Sequence, residues 1–183
     1  TAAVLTADFI RDRYPDARCF LVNSGDIAAD MPGMDIMSSF QTRGGPMPDT
    51  PDVVILGGAG PEYDHVTLSW VYDWMARGVP VVAMHRSTAW TTADGLRIDT
   101  GMYLLGMEEV SGRRATAVGK PAPEGFLASA ARLGVEPDEM YMVGDDLNND
   151  VIAGQVVGMT GVLVRTGKFR QDTLNRWAAD EFA

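Results

Sequence analysis

The chain has one cysteine, Cys19, among its 183 residues, so no intramolecular disulfide can form and a reducing compartment is the simplest setting. Two histidines, His65 and His85, are too few and too scattered for a zinc site. Basic residues are also short. The 15 Lys and Arg stand against 25 Asp and Glu, and the formal net charge is -10. Binding to a phosphate backbone needs the opposite surplus, so a nucleic-acid partner is not expected. No apolar run reaches the roughly 18 residues of a membrane span, and no membrane partner is expected either. No signal-peptide pattern is visible, although the chain opens on Thr1 and not Met. A cytoplasmic location is therefore the default expectation. One further absence bears on chemistry: no Asp-x-Asp-Gly segment follows any predicted strand.

What is present is ordinary for a globular protein, 46% apolar and 22% charged, enough to bury a core in one large domain or two small ones. Residues 3–14 carry helical spacing and stop at Pro15. Cys19 to Val22 and Val53 to Leu56 read as buried strands, with only a weak strand in the Met-, Gly- and Pro-rich stretch 31–51. A helix over 64–76 and a strand over 79–84 follow. Residues 85–101 read as a polar loop with a turn at Thr92-Ala93-Asp94-Gly95. After a helix near 102–110, strands at 115–118, 140–143 and 160–164 alternate with helices at 123–133, 148–156 and 170–179. That alternation predicts an α/β fold, a doubly wound parallel sheet, with a domain boundary near 101–112.

The chemistry concentrates in 119–150. Lys120 follows one predicted strand and precedes Pro121, which favours an extended backbone there. Asp145, after Gly144, stands at the tip of the next strand. Asp150, five residues on, falls in the first turn of a helix, where its charge is favoured. The C-terminal ends of parallel strands are where open α/β sheets place their sites. One cation beside two carboxylates suits a divalent metal and a phosphate. Asp146, Asn148 and Asn149 read as capping and turn residues.

Competing patterns fail. An EF-hand counted from Asp146 needs Gly at 151 and Glu at 157, and both are valine. Gly57-Gly58-Ala59-Gly60 begins like a dinucleotide loop, but position 63 is Tyr63 where glycine is required, so a strand-end turn is the better reading. Trp70 and Trp74 lie four apart on a helix and read as packing. Trp90, in the polar loop with Arg86, is a candidate to hold a substrate or, equally, an anchor on the core.

Val118-Gly119-Lys120-Pro121-Ala122-Pro123-Glu124, then Met142 to Val151, then Gly158 to Lys168, together resemble the haloacid dehalogenase superfamily. Within it the chain looks like the phosphatases with a large α/β cap, which act on sugar phosphates, nucleotides, phosphoglycolate or pyridoxal phosphate. The resemblance implies that residues 1–106 are mostly an α/β cap and 107–183 the C-terminal half of the catalytic core. It implies a magnesium-dependent phosphomonoester hydrolase working through an aspartyl-phosphate, on a small phosphorylated metabolite. Lys120 would contact nucleophile and phosphate, Asp145 would ligate magnesium, and Asp150 would hold the lysine or a metal-bound water. Arg86 and Trp90 are substrate-binding candidates from the cap. A homodimer is a possible state.

The family's nucleophile lies in an Asp-x-Asp motif after its first core strand, and its second strand is followed by a Ser or Thr that contacts phosphate. Neither has a match here; Ser24 is a look-alike in the wrong context. The expectation is a truncated or partly represented protein, inactive in the form given. Two alternatives stand beside it, a catalytically silent binding module that keeps the pocket, and a receiver-like doubly wound protein.

Overall fold

The structure is a computed structural model, and it describes residues 1–42 and 44–181, with backbone only at 180–181. In chain order the elements are α1 (Ala2–Arg13), β1 (Arg18–Val22), β2 (Asp35–Ser38), α2 (Ser39–Thr42), β3 (Val53–Leu56), α3 (His65–Ala76) and β4 (Val81–Ala83). Then come β5 (Ala89–Thr92), β6 (Gly95–Ile98), α4 (Thr100–Ser111), β7 (Thr116–Ala117), α5 (Pro123–Leu133) and β8 (Tyr141–Gly144). A π turn (Leu147–Ile152), α6 (Ala153–Val156), β9 (Thr160–Leu163) and α7 (Gln171–Glu181) complete the chain. Two compact units result: Thr1–Ala89 with Arg97–Gly119, and Trp90–Leu96 with Lys120–Ala183.

The first unit is built on a five-stranded sheet of order β2-β1-β3-β4-β7, parallel at every pairing. Val53-Val54-Ile55-Leu56 is buried at all four positions, as a central strand covered on both faces must be. One face carries Phe20, Val54 and Leu56 against Trp74 and Val71 of α3 and Leu104 of α4. The other carries Cys19, Leu21 and Ile55 against Ala3, Ala7 and Ile10 of α1, with Met31 from the β1–β2 connection. Phe20 meets Trp74 edge to face at 5.0 Å between ring centroids, the geometry that aromatic quadrupoles prefer. The helices start where side-chain caps are available. Asp64 accepts from the Thr67 amide at 2.8 Å to open α3, and Asp99 accepts from the Thr100 amide at 2.8 Å to open α4.

The second unit holds a parallel pair, β8 and β9, in register from Tyr141–Thr160 to Gly144–Leu163. Phe126, Ala153 and Met159 are buried together, with Met140, Met142 and Val157 packed against them. The alternate side chains Tyr141 and Val143 are 72% and 57% exposed.

Two expectations need correction. Residues 85–101 are not a plain loop: β5 and β6 pair in a two-stranded sheet, because residues 89–92 and 95–98 flank a turn tight enough to pair them. That turn is held by Thr92 Oγ1, which donates to the Gly95 carbonyl at 2.9 Å and accepts from the Asp94 amide at 3.3 Å. The strand near 115–118 does not lie in one sheet with the strands at 141 and 160. It is shortened to Thr116–Ala117 and pairs with β4, because that edge of the first sheet offers it a ladder. By its contacts the chain divides at Gly119–Lys120, with α4 and β7 packing into the first sheet.

Candidate active site

The second unit gathers five charged side chains past the end of β8: Lys120, Asp145, Asp146, Asp150 and Lys168. Gly144 closes the strand where a Cβ would collide with the Asp150 carboxylate, so the glycine is what lets that group tuck beneath the strand tip. Asp146 then caps the following turn, accepting from the Asn149 amide at 3.0 Å and from Asn149 Nδ2 at 2.7 Å. The turn is widened. The amides of Asp150 and Val151 both donate to the Asp146 carbonyl, at 2.9 Å and 3.4 Å, giving the π winding Leu147–Ile152.

Asp150 is 5% exposed, and both its oxygens are engaged. Lys120 Nζ donates to Oδ1 at 2.5 Å, and the Asp146 amide donates to Oδ2 at 3.2 Å. The lysine side chain itself is 52% exposed, so its ammonium is tied at one side and open at the other. Asp145 accepts from the Lys168 amide at 2.6 Å through Oδ2. Gly167, at φ +42°, makes that contact possible, since a Cβ there would overlap the same carboxylate oxygen. Lys168 Nζ lies 3.5 Å from Asp146 Oδ2. Burial pushes the Asp146 carboxyl up; the two hydrogen bonds from Asn149 and the Lys168 ammonium outweigh it, and the group lies below the ordinary carboxylate value.

The structure thus brings Lys120 and Asp150 into direct contact and sets Asp145 five residues before, on the loop of Lys168. Asp146 does the capping expected of it and also pairs with Lys168. Lys168 closes the third stretch that carries the resemblance but had no role assigned, because nothing in residues 165–170 carries periodicity. Its one signal was the glycine before it, past the end of a strand.

Arg86 and Trp90 have other surroundings. The Arg86 fork grips the Glu108 carboxylate at 2.8 Å and 2.6 Å. Glu108, 4% exposed on α4, also accepts from Arg114 Nη1 and the Ala115 amide, each at 2.9 Å. The Arg86 hydrogen bond, against the cost of burial and helped by Ala115 and Arg114, holds the Glu108 carboxyl down at about 2. Arg86 is therefore a structural clamp on α4. Trp90 is 43% exposed on β5.

Of the carboxylate oxygens of Asp145, Asp146 and Asp150, Asp145 Oδ1 is the one without a protein hydrogen bond among the described residues. An oxygen donor of that kind fits a hard cation such as magnesium, which keeps most of its waters and needs only one or two carboxylates. No cage of three or more His, Cys, Asp or Glu side chains occurs among the described residues.

The lysine and carboxylates gather past the C-terminal end of β8, the position at which open α/β sheets bind ligands. Residues 117–183 match the HAD-hydrolase-like family model. Human haloacid dehalogenase-like hydrolase domain-containing protein 2 is 36% identical over 120 residues, 66% of this chain and 46% of that protein. Human phospholysine phosphohistidine inorganic pyrophosphate phosphatase is 34% identical over 122 residues, 66% of this chain and 45% of that protein. Among solved structures, 4-nitrophenylphosphatase from Thermotoga maritima superposes with a TM-score of 0.78 at 25% identity, covering 96% of this chain and 64% of that one. By the family-model match residues 117–183 belong with the haloacid dehalogenase-like hydrolases, and two of these three relatives are named as phosphatases. It spans about half the length of the curated relatives it matches.

Proposed function

We propose that the protein carrying this chain is a magnesium-dependent phosphomonoester hydrolase acting on a small phosphorylated metabolite through an aspartyl-phosphate. The observation that carries the reading is the contact of Lys120 with buried Asp150 beside the Asp145–Asp146 turn. Phosphoryl transfer asks mainly for positioning and charge stabilisation. A phosphate dianion ~4 Å from a carboxylate is repelled by several kcal/mol at an effective dielectric near 20. The open side of the Lys120 ammonium offsets that repulsion, and Asp150 fixes where the ammonium stands. Asp145 would hold magnesium, which when bound supplies further positive charge at the phosphate. Trp90 is a candidate specificity contact from the hairpin. Arg86 would act only through the loop it braces against Glu108. In this reading the first unit is largely cap and the second unit part of the catalytic core.

No Asp-x-Asp segment occurs anywhere in residues 1–183, so the nucleophile has to come from outside them. That same observation supports a second reading, a silent module that binds anion or metal without turnover. A cytoplasmic setting belongs to the main proposal. Burial, with Asp35 and Asp52 nearby, pushes the Cys19 thiol up to about 11, so it stays protonated in a reducing compartment. A homodimer is also proposed.

The deciding experiment is phosphate release from p-nitrophenyl phosphate by a longer form that includes the missing motif, with magnesium, against Lys120→Ala and Asp145→Asn. Turnover unchanged in both variants removes the mechanism. No turnover in any form with the motif present favours the silent module.

A further inference from the structure

The loop between β9 and α7 reaches Asp145 through a single peptide group, the one joining Gly167 to Lys168. Its N–H donates to Asp145 Oδ2 at 2.6 Å. Its carbonyl accepts from Arg170 Nη1 at 3.2 Å. The peptide is trans, so its C=O and N–H point in opposite directions. Guanidinium and carboxylate therefore stand on opposite sides of one plane, joined through it.

Arg170 is braced at both ends. Its Nη1 also donates to the Phe169 carbonyl at 2.7 Å, so one nitrogen bridges two carbonyls of the loop. Its own carbonyl accepts from the amides of Thr173 and Leu174, each at 3.2 Å, which ties its backbone to the start of α7. The Phe169 amide donates to the Thr166 carbonyl at 2.9 Å, and the Arg165 guanidinium lies 5.6 Å from the Phe169 ring centre. Arg165 makes no bond to the Gly167–Lys168 peptide; Arg170 does.

Two physical effects follow from that chain of bonds. A charged donor on the carbonyl polarises the peptide, and bonds linked in this way strengthen one another by about 10–30%. The Lys168 N–H is thereby a better donor to a carboxylate. The second effect is orientation. Gly167 gives the peptide little steric restraint of its own, and without Arg170 its carbonyl is free to turn toward water. Any such rotation swings the Lys168 N–H off Oδ2. Because the two oxygens of Asp145 move together, Oδ1, the one without a protein donor, loses its fixed direction as well.

We propose that Arg170 is a positioning residue for Asp145: through the Gly167–Lys168 peptide it holds Oδ2 and so aims Oδ1 at a divalent cation. The proposal rests on the reading of Asp145 as the magnesium ligand. Arg170 is exposed and acts one peptide away from the carboxylate. Its effect is therefore smaller than that of a group touching the ligand directly, for which a loss of tenfold or more in metal affinity is usual.

The test joins two readouts on the full chain, amide NMR without metal and calorimetry with magnesium chloride. In Arg170→Ala the Lys168 amide proton is expected to move upfield, the mark of a weakened hydrogen bond, and magnesium affinity to fall about threefold or more. Arg176→Ala removes the same charge from α7, where Arg176 Nε donates to the Asp172 carbonyl at 3.4 Å, and should change neither. Added to Asp145→Asn, Arg170→Ala should cost no further affinity, since both act through one carboxylate. The spectra report folding for each variant. A Lys168 amide that stays in place overturns the relay. Equal losses in the two arginine variants would mean general surface charge and overturn it too, as would a full Arg170→Ala loss in the Asp145→Asn background. Magnesium affinity indifferent to Asp145→Asn would instead strike the metal reading, and the metal-free Lys168 amide would then decide the relay alone.

Discussion

Lys120 Nζ sits 2.5 Å from Asp150 Oδ1, a half-exposed ammonium on a carboxylate that is 5% exposed. The pair is unequal. Removing the lysine leaves a buried charge with one remaining donor, the Asp146 amide. Lys120→Met should cost roughly 1–3 kcal/mol, solvent at the lysine keeping it below the figure for a fully buried pair. Lys120→Met with Asp150→Leu should recover part of that loss. Urea denaturation of the two variants, of Asp150→Leu and of the parent closes the cycle; strict additivity would deny the coupling.

Glu108 gives a pH signature. Its carboxyl titrates at about 2 in the fold against an ordinary 4.5. A group lowered on folding stabilises fully above the unfolded value and loses that contribution as pH falls through the folded one. Its share, about 3 kcal/mol, is therefore complete above pH 4.5 and gone near pH 2. The stability gap between the parent and Glu108→Gln should be largest at neutral pH and narrow across that window. A gap independent of pH would show that the Arg86 clamp does not set the titration.

Gly167 is predicted to govern metal affinity without touching a metal. A Cβ there meets the Asp145 carboxylate, which Lys168 now steadies through its amide. Gly167→Ala should weaken magnesium binding about tenfold, the usual size of a supporting-group effect. Asp145→Asn should weaken it further. Calorimetry with magnesium decides, and equal affinity in all three proteins would move the metal elsewhere.

Residues 1–183 alone should release no phosphate from p-nitrophenyl phosphate above the uncatalysed rate, with or without magnesium. Release by this chain that Lys120→Ala abolishes would mean that a nucleophile has been overlooked within it.

Some of this was readable in the residues and some was not. Val53-Val54-Ile55-Leu56 announces a central strand because burial on both faces demands an unbroken apolar run. The helix of Trp70 and Trp74 is equally plain from spacing, and Asp145 and Asp150 were visible as a strand tip followed by a helix start. Long-range pairing was not. The two-residue strand Thr116–Ala117 has no pattern of its own, and β4, more than thirty residues earlier, decides which sheet it joins. Glu108 resembled any charge on a helix surface, because its burial depends on Arg86, 22 residues away.

The widened winding at Leu147–Ile152 sets helical regularity against charge placement. Its extra residue per turn weakens local hydrogen bonding, yet it lets one side chain reach back to a peptide N–H four positions earlier and across to a lysine thirty positions away. A one-residue deletion between Leu147 and Asn149 would repair the helix and rotate that side chain off its axis by about 100°. Shortening this stretch by a single codon should therefore be harder to tolerate than many substitutions within it.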